Sequence, residues 1–364
     1  MTIAPRITRR AALGGLLAAP LLPRLAEAAF APVPGDWRRF RVTTRVEIPR
    51  MGEALQVWVP VPSVSEPAWQ RPGDTTWTAT ADHAARVTAP GTDAELIHAT
   101  WAAGDAPAVL TVTSAAATRD RSVDLDRPSS VAPLTAEARA YWTAATELLP
   151  TDGIVRDTAM GIVDGAADDR DAARRIYDWV VESTERNPET RGCGLGDIAS
   201  MLAMGDLTGK CADLNALYVG LARAAGLPAR DVYGLRVAPS AFGYSSLGAK
   251  SSDVTKAQHC RAEVWLSDFG WVPVDPADVR KVALEEEKTP LTLTSGKVRD
   301  ARAGLFGAWE GNWIGLNFAH DVALPGAESG PVPFLMYPMA EEGGVLRDEL
   351  DPAAFAYTIT VEEL

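Results

Sequence analysis

The chain is poor in the residues that staple or metallate small folds. Three cysteines among 364 residues, Cys193, Cys211 and Cys260, are too few and odd in number for a disulfide framework, so at least one thiol is free or pairs with another chain. No Cys-x-x-Cys occurs, and the four histidines, His83, His98, His259 and His320, are scattered, so no zinc-site spacing is present and no metal or cofactor is expected. Lys/Arg runs are missing outside the N-terminus and the net charge is −13, which argues against a nucleic-acid partner. The apolar run from Gly14 to Leu22 is too short to span a bilayer, so no stable membrane span is expected. What is there is ordinary globular composition, 47% apolar and 23% charged, long enough for two or three domains. Nothing in it sets the oligomeric state.

Residues 1–28 read as an export signal. Thr8-Arg9-Arg10-Ala11-Ala12-Leu13 carries the paired arginines of a twin-arginine signal, the apolar run follows, and Ala26-Glu27-Ala28 offers a small-x-small cleavage site. The expected destination is the periplasm or the cell exterior.

From about Trp37 to Asp126 the apolar period is two. Phe40, Val42, Thr44, Val46 and Ile48 alternate with polar neighbours, and Leu55, Val57, Val59 and Val61 repeat the pattern, which predicts a small antiparallel β-sandwich over residues 29–128. Near Pro128 the period changes. Thr135 to Leu149, Ile154 to Ala166 and Arg170 to Glu185 show helical spacing, and a further helix starting at Cys211 carries Leu214, Leu217 and Leu221 and stops at Gly226-Leu227-Pro228. Pro239 to Ala257 is Ser/Gly/Lys-rich and reads as a mobile surface loop.

The chemistry concentrates at the start of that helix. A thiol in the first helical turn meets the positive end of the helix dipole, which favours the nucleophilic thiolate. Such a nucleophile needs a base, and the base needs an orienting group. His259 and Asp275 flank two short strands joined by an Asp/Gly turn and supply both. Direct pairing of 259 with 275 puts the tip at Ser267, whereas the turn residues centre on Asp268 to Gly270, so a bulge is expected, with Pro273 a natural place for it. Alternation puts Cys260, Ala262, Val264 and Leu266 on the core face. Glu263 shares the other face with His259, as a tuning group or a solvated charge. Cys193, in the glycine-rich loop Arg191 to Asp197, reads as structural or as a neighbour of the site. His320-Asp321 reads as structural.

Gly209-Lys210-Cys211-Ala212-Asp213, followed by Leu221 to Arg230, resembles the cysteine block of the transglutaminase-like superfamily. His259 with Glu263, and Gly270-Trp271-Val272-Pro273-Val274-Asp275-Pro276, resemble its histidine and aspartate blocks. The resemblance covers roughly residues 170–282. It implies an α+β fold with a papain-like transglutaminase core, and a Cys211–His259–Asp275 triad that transfers an acyl group from an amide through a thioester. The core with its preceding helices is expected over 129–282, and a C-terminal extension over 283–364 is expected to pack on it. Amine or water as acceptor stays open, giving transglutaminase, amidase or cysteine-peptidase outcomes on a polypeptide or a peptide-containing cell-wall substrate. The rival readings are a catalytically silent module that binds peptide or cell-wall fragments, and an acyltransferase using a small thioester donor.

Overall fold

The strict alternation of Ala108–Thr118, every second residue buried, makes it a strand with one face inward, and Arg38–Ile48 pairs along its full length. These two strands centre the first sheet of a computed structural model that describes residues 1, 2 and 29–364; apart from its first two residues, the expected export signal lies outside the described residues. The sheet runs Ala356–Glu363, Arg38–Ile48, Ala108–Thr118, Gln70–Ala79, antiparallel throughout. A second sheet runs Val345–Leu346, Met339–Glu342, Leu55–Pro60, Glu95–Trp101, His83–Thr88. Val46, Ile48, Val57, Ile97, Leu110 and Phe355 from both sheets form one apolar cluster. Each such side chain contributes about 1.5–3 kcal/mol on full burial.

Residues 283–364 divide between the layers. Trp313–Asn317 joins the core sheet beside Ala229–Arg236, whereas Met339–Glu342 and Ala356–Glu363 complete the two sheets of the N-terminal sandwich. Alternation in the last strand specifies a half-buried strand but not its partner, so this long-range pairing is not written in the local pattern.

The core sheet has the order Gly270–Val274, Arg261–Leu266, Ala229–Arg236, Trp313–Asn317. The helix Cys211–Ala224 packs against it, with the helices Gly153–Val163 and Asp169–Ser183 packing on that helix in turn. Every residue of Cys211–Ala224 is buried, the property of a central helix rather than an amphipathic surface one. Asp168 caps Asp169–Ser183 by accepting from the Asp171 N–H at 2.8 Å, and Ile176, Tyr177, Val180 and Val181 form its inward stripe. The helix expected over Thr135 to Leu149 is Ala136–Thr143 only, because Ala144 turns extended and its carbonyl accepts from Arg223 Nη1 at 3.1 Å.

Two local expectations change. The hairpin is regular from Leu266↔Gly270 to Ala262↔Val274, with Pro273 opposite Glu263 and no bulge. His259 precedes its strand and Asp275 follows its own, so the register need not pair them directly. The segment Pro239 to Ala257 is anchored: Val254 N–H donates to Ile359 O at 2.8 Å, and Ser246 Oγ donates to Glu286 Oε2 at 2.7 Å.

Candidate active site

Cys211 is the first residue of the central helix, so its thiol sits at the end where backbone N–H groups lack helical partners. The turn before it is built around Asp213. One carboxylate oxygen accepts from the N–H groups of Leu195 and Gly196 at 3.0 Å, and the other accepts from Lys210 N–H at 2.9 Å. This ties the loop of Cys193 to the helix start, where Ala212 N–H also donates to Cys193 O at 2.9 Å. Glycine is required on both sides of that carboxylate: a Cβ at Gly194 would lie 1.9 Å from Asp213 Oδ2, and one at Gly209 would lie 2.4 Å from it.

His259 is held through its backbone. Its N–H donates to Gly234 O at 2.9 Å, and its carbonyl accepts from Trp313 Nε1 at 2.8 Å. Its ring Nε2 lies 2.7 Å from Asp275 Oδ2 and 3.4 Å from Asp278 Oδ2, which leaves Nδ1 as the nitrogen turned away from the carboxylates. Asp275 is the N-cap of the helix Pro276–Glu285. Its Oδ1 accepts from Asp278 N–H at 3.0 Å and from Asn215 Nδ2 at 3.2 Å. Asn215, one turn along the helix from Cys211, also donates to Cys260 O at 2.9 Å and so joins the cysteine helix to both other elements. Asp278 accepts from Arg236 Nη2 at 2.6 Å.

These groups are almost dry: Cys211 is 4%, His259 3% and Asp275 0% exposed. Burial and Arg236 oppose a charge on His259, but the carboxylates of Asp278 and Asp275 outweigh them and push the imidazole up to about 10. Hydrogen bonds from the Cys193 and Cys260 thiols, then the hydrogen bond and charge of His259, outweigh burial and hold the Cys211 thiol well below its ordinary range. The flanking thiols move the other way, Cys193 chiefly through its hydrogen bond to Cys211 and Cys260 chiefly through burial. Burial raises the Asp275 carboxyl, with Asp278 adding to it and His259 opposing. Around the His259 ring, the guanidinium groups of Arg236 and Arg261 face the carboxyl groups of Asp278 and Asp275, so the buried acids have cationic partners. His259, Asp275 and Asp278 are close enough together to share a cation, but Arg236 and Arg261 already supply the positive charge such an ion would bring.

The structure brings Cys211 and His259 to the wall of one recess of about 370 Å³, with Asp275 behind the histidine. Cys193 lines the same recess, so it is a neighbour of the site as well as a loop residue. Glu263 is not solvated: it is fully buried and paired with Arg121 and Arg230, and Arg230 lies 4.0 Å from the ring centre of Trp271. His320 stands apart, with Nε2 3.2 Å from Asp231 Oδ2. Asn215, Arg236 and Asp278 escape sequence reasoning; the first sits one helical turn after the cysteine, the only local signal among them.

The family model for the transglutaminase-like superfamily matches residues 156–276. An uncharacterized protein of Haemophilus influenzae is 41% identical over 229 residues, 60% of this chain; the chain spans 61% of that relative. Among solved structures, a candidate cysteine protease from Cytophaga hutchinsonii aligns over 91% of this chain and 99% of its own, at a TM-score of 0.51 and 15% identity, which shows a shared fold. The periplasmic domain of TgpA from Pseudomonas aeruginosa aligns over 72% of this chain and 94% of its own, at a TM-score of 0.34 and 20% identity. Residues 156–276 thus carry a transglutaminase-like core domain.

Proposed function

We propose that the protein is an exported thiol-dependent acyl-transfer enzyme acting on amide bonds, with Cys211 as nucleophile, His259 as acid and base, and Asp275 as the orienting carboxylate. The observation that carries this reading is the 2.7 Å contact of His259 Nε2 with Asp275, which leaves Nδ1 for a thiol in the same recess.

In this mechanism the Cys211 thiolate attacks the amide carbonyl carbon, and the carbonyl π electrons move onto oxygen. The Cys211 backbone N–H, at the open end of the helix, faces that oxyanion; one such donor is worth about 2.7–4 kcal/mol. Collapse breaks the C–N bond as His259 Nδ1 passes its proton to the departing amine, leaving a thioester. Water or an amine then gives a proton to His259 and attacks the thioester, releasing the acyl group and restoring the thiolate–imidazolium pair. Asp275 stays ionised and holds the imidazole in place.

The substrate is read as a polypeptide or a peptide-containing cell-wall fragment. Export is read from Arg9-Arg10 and the following apolar run. Incubation with a peptide library or a cell-wall digest, followed by mass spectrometry, should trap an acyl adduct on Cys211, and Cys211→Ala should abolish turnover. Iodoacetamide should label Cys211 ahead of Cys193 and Cys260. Equal labelling of the three, or turnover surviving Cys211→Ala, overturns the reading. Fractionation of cells carrying Arg9→Lys with Arg10→Lys tests export, with retention in the cytoplasm expected.

A further inference from the structure

The recess above Cys211 is charged unlike the chain that forms it. Arg186, Lys210, Arg236, Lys250, Lys256 and Lys281 line it, with Asp253 as the one acidic lining residue among the described residues, in a protein of net charge −13. Three of these six cations are paired with carboxylates. Arg236 is committed to Asp278, and Arg186 and Lys281 share the single carboxylate of Glu285. Lys250 and Lys256 are exposed on the anchored segment, and Lys210 is half-buried at the helix start. The crowding is felt locally: burial first, then Arg236 and Arg186, lower the Lys281 ammonium below its usual range.

A concave site lined by one sign of charge concentrates ligands of the other sign, and does so most where the walls exclude water. On the far side of Cys193 the character reverses. That residue also lines a groove of about 820 Å³ walled by Met201, Met204, Phe334, Leu346 and Leu350. Cys193 lines both cavities, so a chain passing it from the recess into the groove meets cations and then apolar side chains. A nucleic acid has no use for the apolar half, whereas a peptide with carboxylates on one side of the reacting amide and apolar side chains on the other fits both.

We infer that the acyl donor is an acidic peptide, its carboxylates bound by the lysine-rich wall formed by Lys210, Lys250 and Lys256. The inference rests on reading Cys211 as the nucleophile, and its test separates the two.

The full chain is alkylated with iodoacetate and, separately, with iodoacetamide, and the rate at Cys211 is read by mass spectrometry. The iodoacetate-to-iodoacetamide ratio, relative to that of N-acetylcysteine amide, should be raised at least ~10-fold, and fall toward the reference in about 1 M NaCl, where the Debye length is about 3 Å. Lys250→Gln and Lys256→Gln, both at exposed positions, should each lower the ratio about threefold, the scale of one partly screened charge. Peptides differing only by Glu→Gln are then compared as protectants of Cys211 and, by calorimetry on Cys211→Ala, as ligands. The Glu peptide should act at a concentration ~10-fold lower. An unraised ratio, or equal binding of the two peptides, overturns the inference. Inorganic phosphate protecting as well as the Glu peptide also overturns it, since the recess is then a bare anion site. Slow iodoacetamide labelling of Cys211 combined with preferential binding of the Glu peptide overturns the nucleophile and spares the charge preference.

Discussion

Asn215 Nδ2 lies 3.2 Å from Asp275 Oδ1, so a residue of the cysteine helix holds the carboxylate that holds the histidine. The same amide group donates to Cys260 O and its oxygen accepts from Ala277 N–H at 3.3 Å, so three elements meet on one side chain with no exposed surface. Asn215→Ala is expected to lower kcat/KM on the order of 10²-fold, the penalty of a misplaced reacting group. Iodoacetamide labelling of Cys211 should persist, because the residue acts by positioning Asp275. Steady-state kinetics beside alkylation rates check this; an unchanged kcat/KM removes Asn215 from the site.

The pH dependence follows from two opposed shifts. With Cys211 held low and His259 pushed up to about 10, a thiolate–imidazolium pair is the expected form at neutral pH. Alkylation of Cys211 should stay fast well below the ordinary thiol range, and turnover should fall on the alkaline side as His259 loses its proton near pH 10. Asp278→Asn removes one of the carboxylates that raise His259 and should move the alkaline limb downward. The sign for stability is the same: a histidine raised from 6.5 to about 10 stabilises fully below its unfolded value and loses that contribution as pH rises through 10. Chemical denaturation across pH reads this directly.

Glu263 sits between Arg121, which precedes the core in sequence, and Arg230 of the core sheet. Its removal leaves two buried guanidinium groups without their shared partner. Glu263→Ala is expected to cost about 3–5 kcal/mol in urea unfolding, whereas Glu263→Gln, which keeps an acceptor, should cost less. A loss below about 1 kcal/mol would mean that water replaces the carboxylate.

The last strand closes the first one. Ala356–Glu363 pairs with Arg38–Ile48 over eight residue pairs, and Arg38 adds a bridge to Glu363 at 2.8 Å. Deleting residues 356–364 should lower Tm by several degrees, about 4–8 °C per kcal/mol in a small domain and less in a chain of this size, and expose an edge prone to association. Calorimetry with limited proteolysis measures both effects, and an unchanged Tm would show that the strand is dispensable.

Much of the fold was legible because its signals are local. Alternation over Phe40 to Ile48 named a half-buried strand, and the stripe of Ile176, Tyr177, Val180 and Val181 named a helix face. Cys211, His259 and Asp275 stood out because few residue types perform acyl transfer and these three occur in recognisable blocks. Glu263 was misread for a physical reason: alternation assumes one solvated face, yet Arg261–Leu266 is buried on both faces. The anchored segment Pro239 to Ala257 was misread because its composition says nothing of the terminal strand that ties it down.

The sequence by itself determined most of the strands and helices and where the central helix begins, and it picks out Cys211, His259 and Asp275 as the proposed site. Only the tertiary structure decided that Asn215, Asp278 and Arg236 surround them, that Cys193 lines the same recess as Cys211, and that six scattered cations line it too. Local propensity is carried by neighbours within a few positions, whereas these contacts join segments tens of residues apart. Packing of the central helix against the sheet brings them together, and no short-range pattern encodes that meeting.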